Sequence, residues 1–272
     1  MAVPLNGIAE SRVKAVSSLP SGINLGDSSN LTLIDTVHSV AKVIDSLEGL
    51  PIEPPSIYID VEGVNLSRHG SISILQLYVL PSKKIYLIDV LSLQNECFTT
   101  RGESGYTLKD ILESNDIPKV FFDVRNDSDA LYSHFQIQLA GVLDLQLMEL
   151  ATRSFSKRCV SGLSKCIEND APLSIYERRN WIQIKEKGQK LFNPGKGGSF
   201  EVFNERPLRE DISVYCAQDV QILPRLWIHY SRKITDTWKQ RVVEASKARV
   251  KLSQSLSFNG NGRHMALAPS NW

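Results

Sequence analysis

The period of the apolar residues changes several times along the chain, and each change marks an element. From Leu33 onward, Ile34, Val37, Val40, Ala41, Ile44 and Leu47 recur at helical spacing until Pro51, Pro54 and Pro55 interrupt the run, which predicts one helix with a hard stop. Three strand-like runs follow, SIYIDVE at 56–62, SISILQLYVL at 71–80 and KKIYLIDV at 83–90. Each is rich in Ile, Val, Leu or Tyr, and the short Gly, Ser and Pro breaks between them favour an antiparallel meander. A helical segment around Leu108, Ile111 and Leu112 precedes KVFFDV at 119–124, then a helix with Ala130, Leu131 and Phe135, then GVLDLQ at 141–146, with mostly helix beyond.

That order predicts an α/β fold with a mixed five-stranded sheet, an antiparallel meander joined to crossover strands and flanked by helices. Residues 1–30, rich in Ser, Gly and Asn, read as a flexible leader. Between about 172 and 206 the periodic signal fades around Arg178, Arg179, Lys185, Lys187, Lys190 and NPGKGG, so a surface loop or insertion is expected. The last helix, about 232–253, places Ile234, Trp238, Val242 and Ala245 on one face and Arg232, Lys233, Lys239, Arg241, Lys247, Arg249 and Lys251 elsewhere. The stretch after Phe258 reads as a tail that adds little to the core.

A length of 272 residues suits one domain with trimmings. With 31 Lys and Arg against 30 Asp and Glu, the formal charge of +1 creates no global field for an anionic partner. Cys97, Cys159, Cys166 and Cys216 show no CxxC spacing, so they read as reduced thiols rather than a zinc site or redox pair. No basic segment followed by an apolar run opens the chain, and no stretch of about 18 apolar residues occurs. The expectation is an intracellular protein, cytoplasmic or nuclear, neither secreted nor membrane-bound. GKGG at 195–198 lacks the upstream Gly and following Ser or Thr of a P-loop.

The chemistry lies in the acids. Asp60 and Glu62 stand two apart at the end of a strand, so both project from one face, either as half a cation site or as the acids of a solvated strand end. Tyr215 and Asp219 stand four apart in DISVYCAQDVQILPRL and share one helix face, as the other half of such a site or as a core tyrosine beside a solvated aspartate. FFDVRNDSDALYSHF offers Asp123, Asp127 and Asp129 where a strand runs into a helix, and the residues themselves leave open which of the three acts and which merely caps or is solvated.

In this order, DVEGVNLSRHGSISILQL, KVFFDVRNDSDAL, DLQLMEL and VYCAQDVQILPRL resemble the successive motifs of the DEDD superfamily of 3'-5' exonucleases. The similarity spans about residues 33–230 and is greatest to the tyrosine-bearing branch, typified by ribonuclease D and the 3'-5' exonuclease domain-containing proteins. FNPGKGGSFEVFNERPL resembles fungal members of that group. The histidine-bearing branch would carry a His five residues before the last Asp, where this chain has Val214. Ribonuclease D-like sequences often carry His where this chain has Phe122, a position outside the functional set.

The resemblance implies a ribonuclease H-like fold, with an exonuclease domain over 31–232, a basic C-terminal helix at 233–256 and a tail at 257–272. It implies a metal-dependent exonuclease acting on the 3' end of single-stranded RNA or DNA, with Asp60, Glu62, Asp127, Tyr215 and Asp219 as the catalytic set. The four carboxylates would hold two divalent cations, Mg²⁺ or Mn²⁺, which are hard ions that prefer oxygen ligands. Asp60 would bridge both ions, Glu62 and Asp219 would complete the first, Asp127 would hold the second through water, and Tyr215 would orient the attacking water. Gly63, Val64 and Asn65 would accept the terminal nucleotide and Arg68 a phosphate. A non-catalytic nucleic-acid-binding adaptor on the same fold is the alternative, and the filled ligand positions favour the enzyme.

Overall fold

The computed structural model describes residues 30–270 and 272; the expected leader therefore lies, except for Asn30, outside the described residues. In chain order the strands are β1 (Leu31–Ile34), β2 (Ile57–Glu62), β3 (Ile74–Val79), β4 (Lys84–Asp89), β5 (Lys119–Phe121) and β6 (Val142–Asp144). The helices are α1 (Val37–Leu47), α2 (Val90–Leu93), α3 (Glu96–Thr99), α4 (Leu108–Glu113), α5 (Arg125–Phe135), α6 (Leu145–Thr152), α7 (Leu163–Asp170), α8 (Ile175–Phe192), α9 (Glu210–Gln221), α10 (Leu223–Ser231) and α11 (Asp236–Ser253).

The sheet runs β1-β4-β3-β2-β5-β6. β3 is antiparallel to β2 and β4, as the short turns require, whereas β5 and β6 continue the sheet in parallel beyond β2. A sixth strand corrects the expected five: Leu31–Ile34 pairs in parallel with β4. Leu33 and Ile34, assigned by periodicity to the first helix, belong to this strand, and α1 begins at Val37 behind a Thr36–Ser39 capping box. An edge strand in which only Ile34 is buried has no alternation for sequence to display.

Residues of β2 alternate between two cores. Tyr58 joins Tyr78, Trp181, Tyr215 and Leu226 on one face, while Ile57, Ile59 and Val61 join Val43, Ile44, Leu77 and Leu131 on the other. The sheet is thus sandwiched between helical layers, and both acids of β2 share the Tyr58 side.

Helix α8 replaces the loop expected over 172–206, followed by 3-10 turns at Pro194–Lys196 and Phe200–Asn204. Its apolar signal is weak because Ile175 and Tyr176 face solvent while the inner face buries only Trp181 and Gly188. The last helix starts at Asp236, capped by Thr235, and buries Arg249, which the sequence pattern placed off the apolar face. The chain after Phe258 packs back on the domain: Leu267 bridges Cys159, and the Trp272 ring lies 5.2 Å from that of Trp238. The four cysteines are unpaired, and among the described residues no helix is long and apolar enough to cross a membrane.

Candidate active site

The site forms where β2 ends beneath α9. Asp60 and Glu62 project from one face of the strand, and α9 crosses β2, β3 and β4 on that same side. One turn separates Tyr215 from Asp219 on α9, so Asp219 is lowered onto the strand pair: Asp60, Glu62 and Asp219 each offer an oxygen within 4.8 Å of the others. Asp60 faces Gln76 across the β2–β3 ladder. With its amide nitrogen turned inward, Gln76 donates to the Asp60 carbonyl at 3.2 Å and to Oδ2 at 3.0 Å.

Three acids this close in a partly dry site repel one another. Burial, then Asp219, pushes the Asp60 carboxyl up to about 7, although Lys185 pulls it down. Burial, then Asp60 and Asp219, raises Glu62 well above the usual carboxylate range, against a hydrogen bond from the Tyr215 hydroxyl. Burial and the same acids hold the Tyr215 phenol above its ordinary value, so it stays protonated and acts as a hydrogen-bonding group.

Asp127 enters from the first turn of α5. It lies outside the 4.8 Å trio but close enough to be coupled to it: burial, then Asp60, with Asp123 and Glu62 adding, raises its carboxyl well above normal. The structure separates the three acids of this segment by their partners. Asp123 takes Arg125 at 2.5 and 2.6 Å and Arg249 at 3.4 Å, and Asp129 takes the Arg68 side chain at 2.7 Å and its backbone N–H at 2.8 Å. The leading charges acting on Asp127 are those of the acids Asp60, Asp123 and Glu62.

A buried brace fixes the turn that delivers Asp127. Asp144, fully buried at the end of β6, accepts the backbone N–H groups of Asp123, Val124 and Gln146, and Arg249 of α11 donates to it at 2.7 Å. Asp123 itself is held at φ 61°, a left-handed conformation that costs about 1 kcal/mol or more for a non-glycine residue and needs such support.

Gly63, Val64 and Asn65 form the start of the β2–β3 loop, where Ser71 N–H donates to the Val64 carbonyl at 2.9 Å. A Cβ on Gly63 would stand 2.0 Å from the Ser71 carbonyl oxygen, so glycine lets the loop fold back beside Glu62. Arg68, expected to meet a phosphate, commits all three guanidinium nitrogens elsewhere. Nε goes to Asp129, Nη2 to the Ser253 and Ser255 carbonyls at 2.7 and 2.9 Å, and Nη1 to that of Leu256 at 3.4 Å. It ties the loop to α5 and to the end of α11.

Lys185 of α8 was placed by the sequence in a basic surface stretch; it points into the site. Its Nζ lies 2.6 Å from Asp219 Oδ2 and 3.0 Å from the Tyr215 hydroxyl. Burial alone would push the ammonium down, but Asp219, with help from Glu62 and Asp60, holds it above its ordinary value. The spacing Trp181, Lys185, Gly188 is i, i+4, i+7, which would have marked Lys185 as inward-facing had the segment been read as a helix.

The residues present fit a divalent cation. Asp219 Oδ1 is buried without any partner while Oδ2 is taken by Lys185, and an unpartnered carboxylate oxygen beside two further acids has the chemistry to meet a hard cation.

A mixed sheet with acids at the end of its central strand, met by an acid and a tyrosine from the helix above, has the ribonuclease H-like architecture of 3'-5' exonucleases. The chain matches the sequence profile described as 3'-5' exonuclease over residues 31–234; it belongs to that family. It is 30% identical over 138 residues to the piRNA biogenesis protein EXD1 of Bombyx mori, covering 48% of this chain and 41% of that protein. The match thus spans less than half of that relative's length. In fold it is similar to the Trypanosoma brucei RNase D:GMP complex, with a TM-score of 0.70 at 22% identity over 88% of this chain and 69% of that one. The T. brucei RNase D complex with RNA U12 gives 0.68 at 21%, covering 88% and 76%. The family and the acidic cluster together point to nuclease chemistry, nucleic-acid binding and use of divalent metal.

Proposed function

We propose that the chain is a metal-dependent exonuclease of the tyrosine-bearing branch, shortening single-stranded nucleic acid from its 3' end, with Asp60, Glu62, Asp127 and Asp219 holding two divalent cations, Mg²⁺ or Mn²⁺. The observation that carries this reading is the convergence of Asp60, Glu62 and Asp219 within 4.8 Å, from a strand and a helix far apart in sequence. When bound, such cations neutralise the phosphodiester oxygens and make water a better nucleophile at neutral pH.

The chain's own residues supply the rest. Gln76 fixes Asp60 from the neighbouring strand. The unpartnered Oδ1 of Asp219 is kept for a cation because Lys185 takes Oδ2. Tyr215, protonated and hydrogen-bonded to Glu62, orients the attacking water as a donor and acceptor rather than as a base. The Gly63–Asn65 backbone, folded beside Glu62, accepts the terminal nucleotide. The domain that does this is the segment 31–232, with 233–256 bracing it through α11 and 257–272 closing over that helix.

The test uses 5'- and 3'-labelled single-stranded RNA and DNA with Mg²⁺, Mn²⁺ or chelator, alongside Asp60→Ala and Asp219→Ala. Metal-dependent stepwise loss from the 3' end, absent in both variants, is the expected result and ranks RNA against DNA. Binding without shortening under every metal condition would overturn the enzyme in favour of an adaptor.

A further inference from the structure

Helix α8 is built around Tyr215. Three of its residues, at i, i+3 and i+7, meet that one side chain. Lys185 donates to the hydroxyl at 3.0 Å with its Nζ 4.5 Å from the ring centroid, Gly188 lies against the ring, and the Phe192 ring centroid stands 5.0 Å away. A Cβ on Gly188 would sit 2.4 Å from Tyr215 Cδ2, so only glycine permits the approach. Glycine inside a helix is unfavourable by roughly 1 kcal/mol relative to alanine, and here it admits the phenol beside the lysine.

The same ammonium bonds Asp219 Oδ2 at 2.6 Å and leaves Oδ1 without a partner. Because Lys185 donates to the Tyr215 oxygen, the phenolic O–H is directed onward, to Glu62. A chain of hydrogen bonds thus runs from Lys185 through the Tyr215 hydroxyl to the accepting Glu62 carboxylate, with a branch from Lys185 to Asp219.

We propose that Lys185 is a positioning residue of the reaction centre: it sets the orientation of the Tyr215 hydroxyl and of Asp219, at the expense of cation affinity. The proposal rests on the exonuclease reading for its effect on turnover, but not for its effect on cation binding. A fixed positive charge next to a cation site repels the incoming ion. Its removal therefore tightens binding of the ion while loosening the groups that orient the attack. A residue with only a structural role would lower both.

The test is full-length Lys185→Met and Lys185→Arg, with far-UV circular dichroism to establish folding, titrated with Mn²⁺ alone by isothermal calorimetry and assayed on a 3'-labelled oligonucleotide at saturating Mn²⁺. For Lys185→Met the expected result is a Kd for Mn²⁺ at least threefold lower than wild type, with kcat reduced about 10- to 100-fold and KM within threefold. Lys185→Arg, which keeps the charge, keeps wild-type Mn²⁺ affinity within twofold and recovers part of kcat. An unchanged or weaker Mn²⁺ affinity in folded Lys185→Met, or a kcat within threefold of wild type, overturns the proposal. If wild type binds Mn²⁺ but cleaves neither RNA nor DNA, the exonuclease reading falls, and the Mn²⁺ titration alone decides for Lys185: tighter in Lys185→Met upholds its role, equal or weaker overturns it.

Discussion

Replacing Arg249 by Met tests whether α11 braces the site or merely lies on the surface. Arg249 is 6% exposed and Asp144 is 0% exposed, and the 2.7 Å contact between them is supplemented by one of 3.4 Å to Asp123. Removing one partner of a buried pair costs about 3–5 kcal/mol, because the remaining charge stays buried without compensation. Asp144 keeps three backbone donors, from Asp123, Val124 and Gln146, which argues for the lower end, ~3 kcal/mol. At roughly 2–4 °C per kcal/mol for a domain of this size, Tm falls by about 6–12 °C.

The same change loosens the Asp123–Val124 turn from which α5 starts, so Asp127 loses its fixed position. Turnover, measured at 20 °C where the variant remains folded, drops about 10- to 100-fold, in keeping with the sensitivity of such sites to displacements near 1 Å. Thermal melting by circular dichroism and an initial-rate assay check the two parts. Lys247→Met, on the exposed side of the same helix, stays within about 0.5 kcal/mol of wild type. The double variant Arg249→Met/Asp144→Asn recovers part of the loss, since two neutral partners cost less than one stranded charge. A Tm for Arg249→Met within 2 °C of wild type would refute the brace.

Saturating Mn²⁺, at about 100 times its Kd, stabilises the wild type by ~2.7 kcal/mol, seen as a rise in Tm of about 5–10 °C, and this rise disappears in Asp60→Ala and Asp219→Ala; equal shifts in all three would place the ion elsewhere. Gly188→Ala is destabilised by ~1–2 kcal/mol despite alanine's better helix propensity, because the new methyl meets the Tyr215 ring 2.4 Å away; chemical denaturation measures it, and a gain in stability would contradict the contact. Burial opposes ionisation of Glu177, but the Arg225 hydrogen bond at 2.7 Å and those from Ser174 hold its carboxyl down at about 2 against an ordinary 4.5. Because the folded value is the lower one, the contribution is present above about pH 4.5 and is lost as pH falls toward 2. Discounted for screening at a partly exposed site, it is ~1–2 kcal/mol at pH 7, so the stability gap between wild type and Glu177→Gln narrows through that window; a pH-independent gap in urea melts would show that the ion pair is not its source.

Elements whose sequence repeats at one period were legible: α1, the β2–β4 meander and α5 bury a continuous face, so their apolar residues recur on schedule. The segment 175–192 was not, because its inner face carries a lysine and a glycine where a core helix would carry aliphatic residues. Both departures from the pattern touch Tyr215. Local sequence rules fail there because the helix is shaped by the side chain it covers rather than by an apolar core. Arg249 was missed for a related reason: one buried charge among many solvated ones has no periodic signature, and only the buried Asp144 opposite it makes the position intelligible.

The acids show what residue type alone leaves undecided. Asp123, Asp127 and Asp129 lie within seven residues and offer the same carboxylate, yet each is assigned by what answers it. Asp123 is matched by two arginines and Asp129 by one, so their charges are spent inside the fold. Asp127 is surrounded by Asp60, Asp123 and Glu62, an arrangement that burial makes costly in the absence of a counter-charge. The same reasoning separates Asp219, half satisfied by Lys185 and half orphaned, from a carboxylate that merely closes an ion pair. A fold that buries acids facing one another, while nearby arginines are spent on other acids, is organised to receive positive charge from outside. It is this unspent negative charge, rather than the spacing of the motifs, that argues for divalent cations at Asp60, Glu62, Asp127 and Asp219.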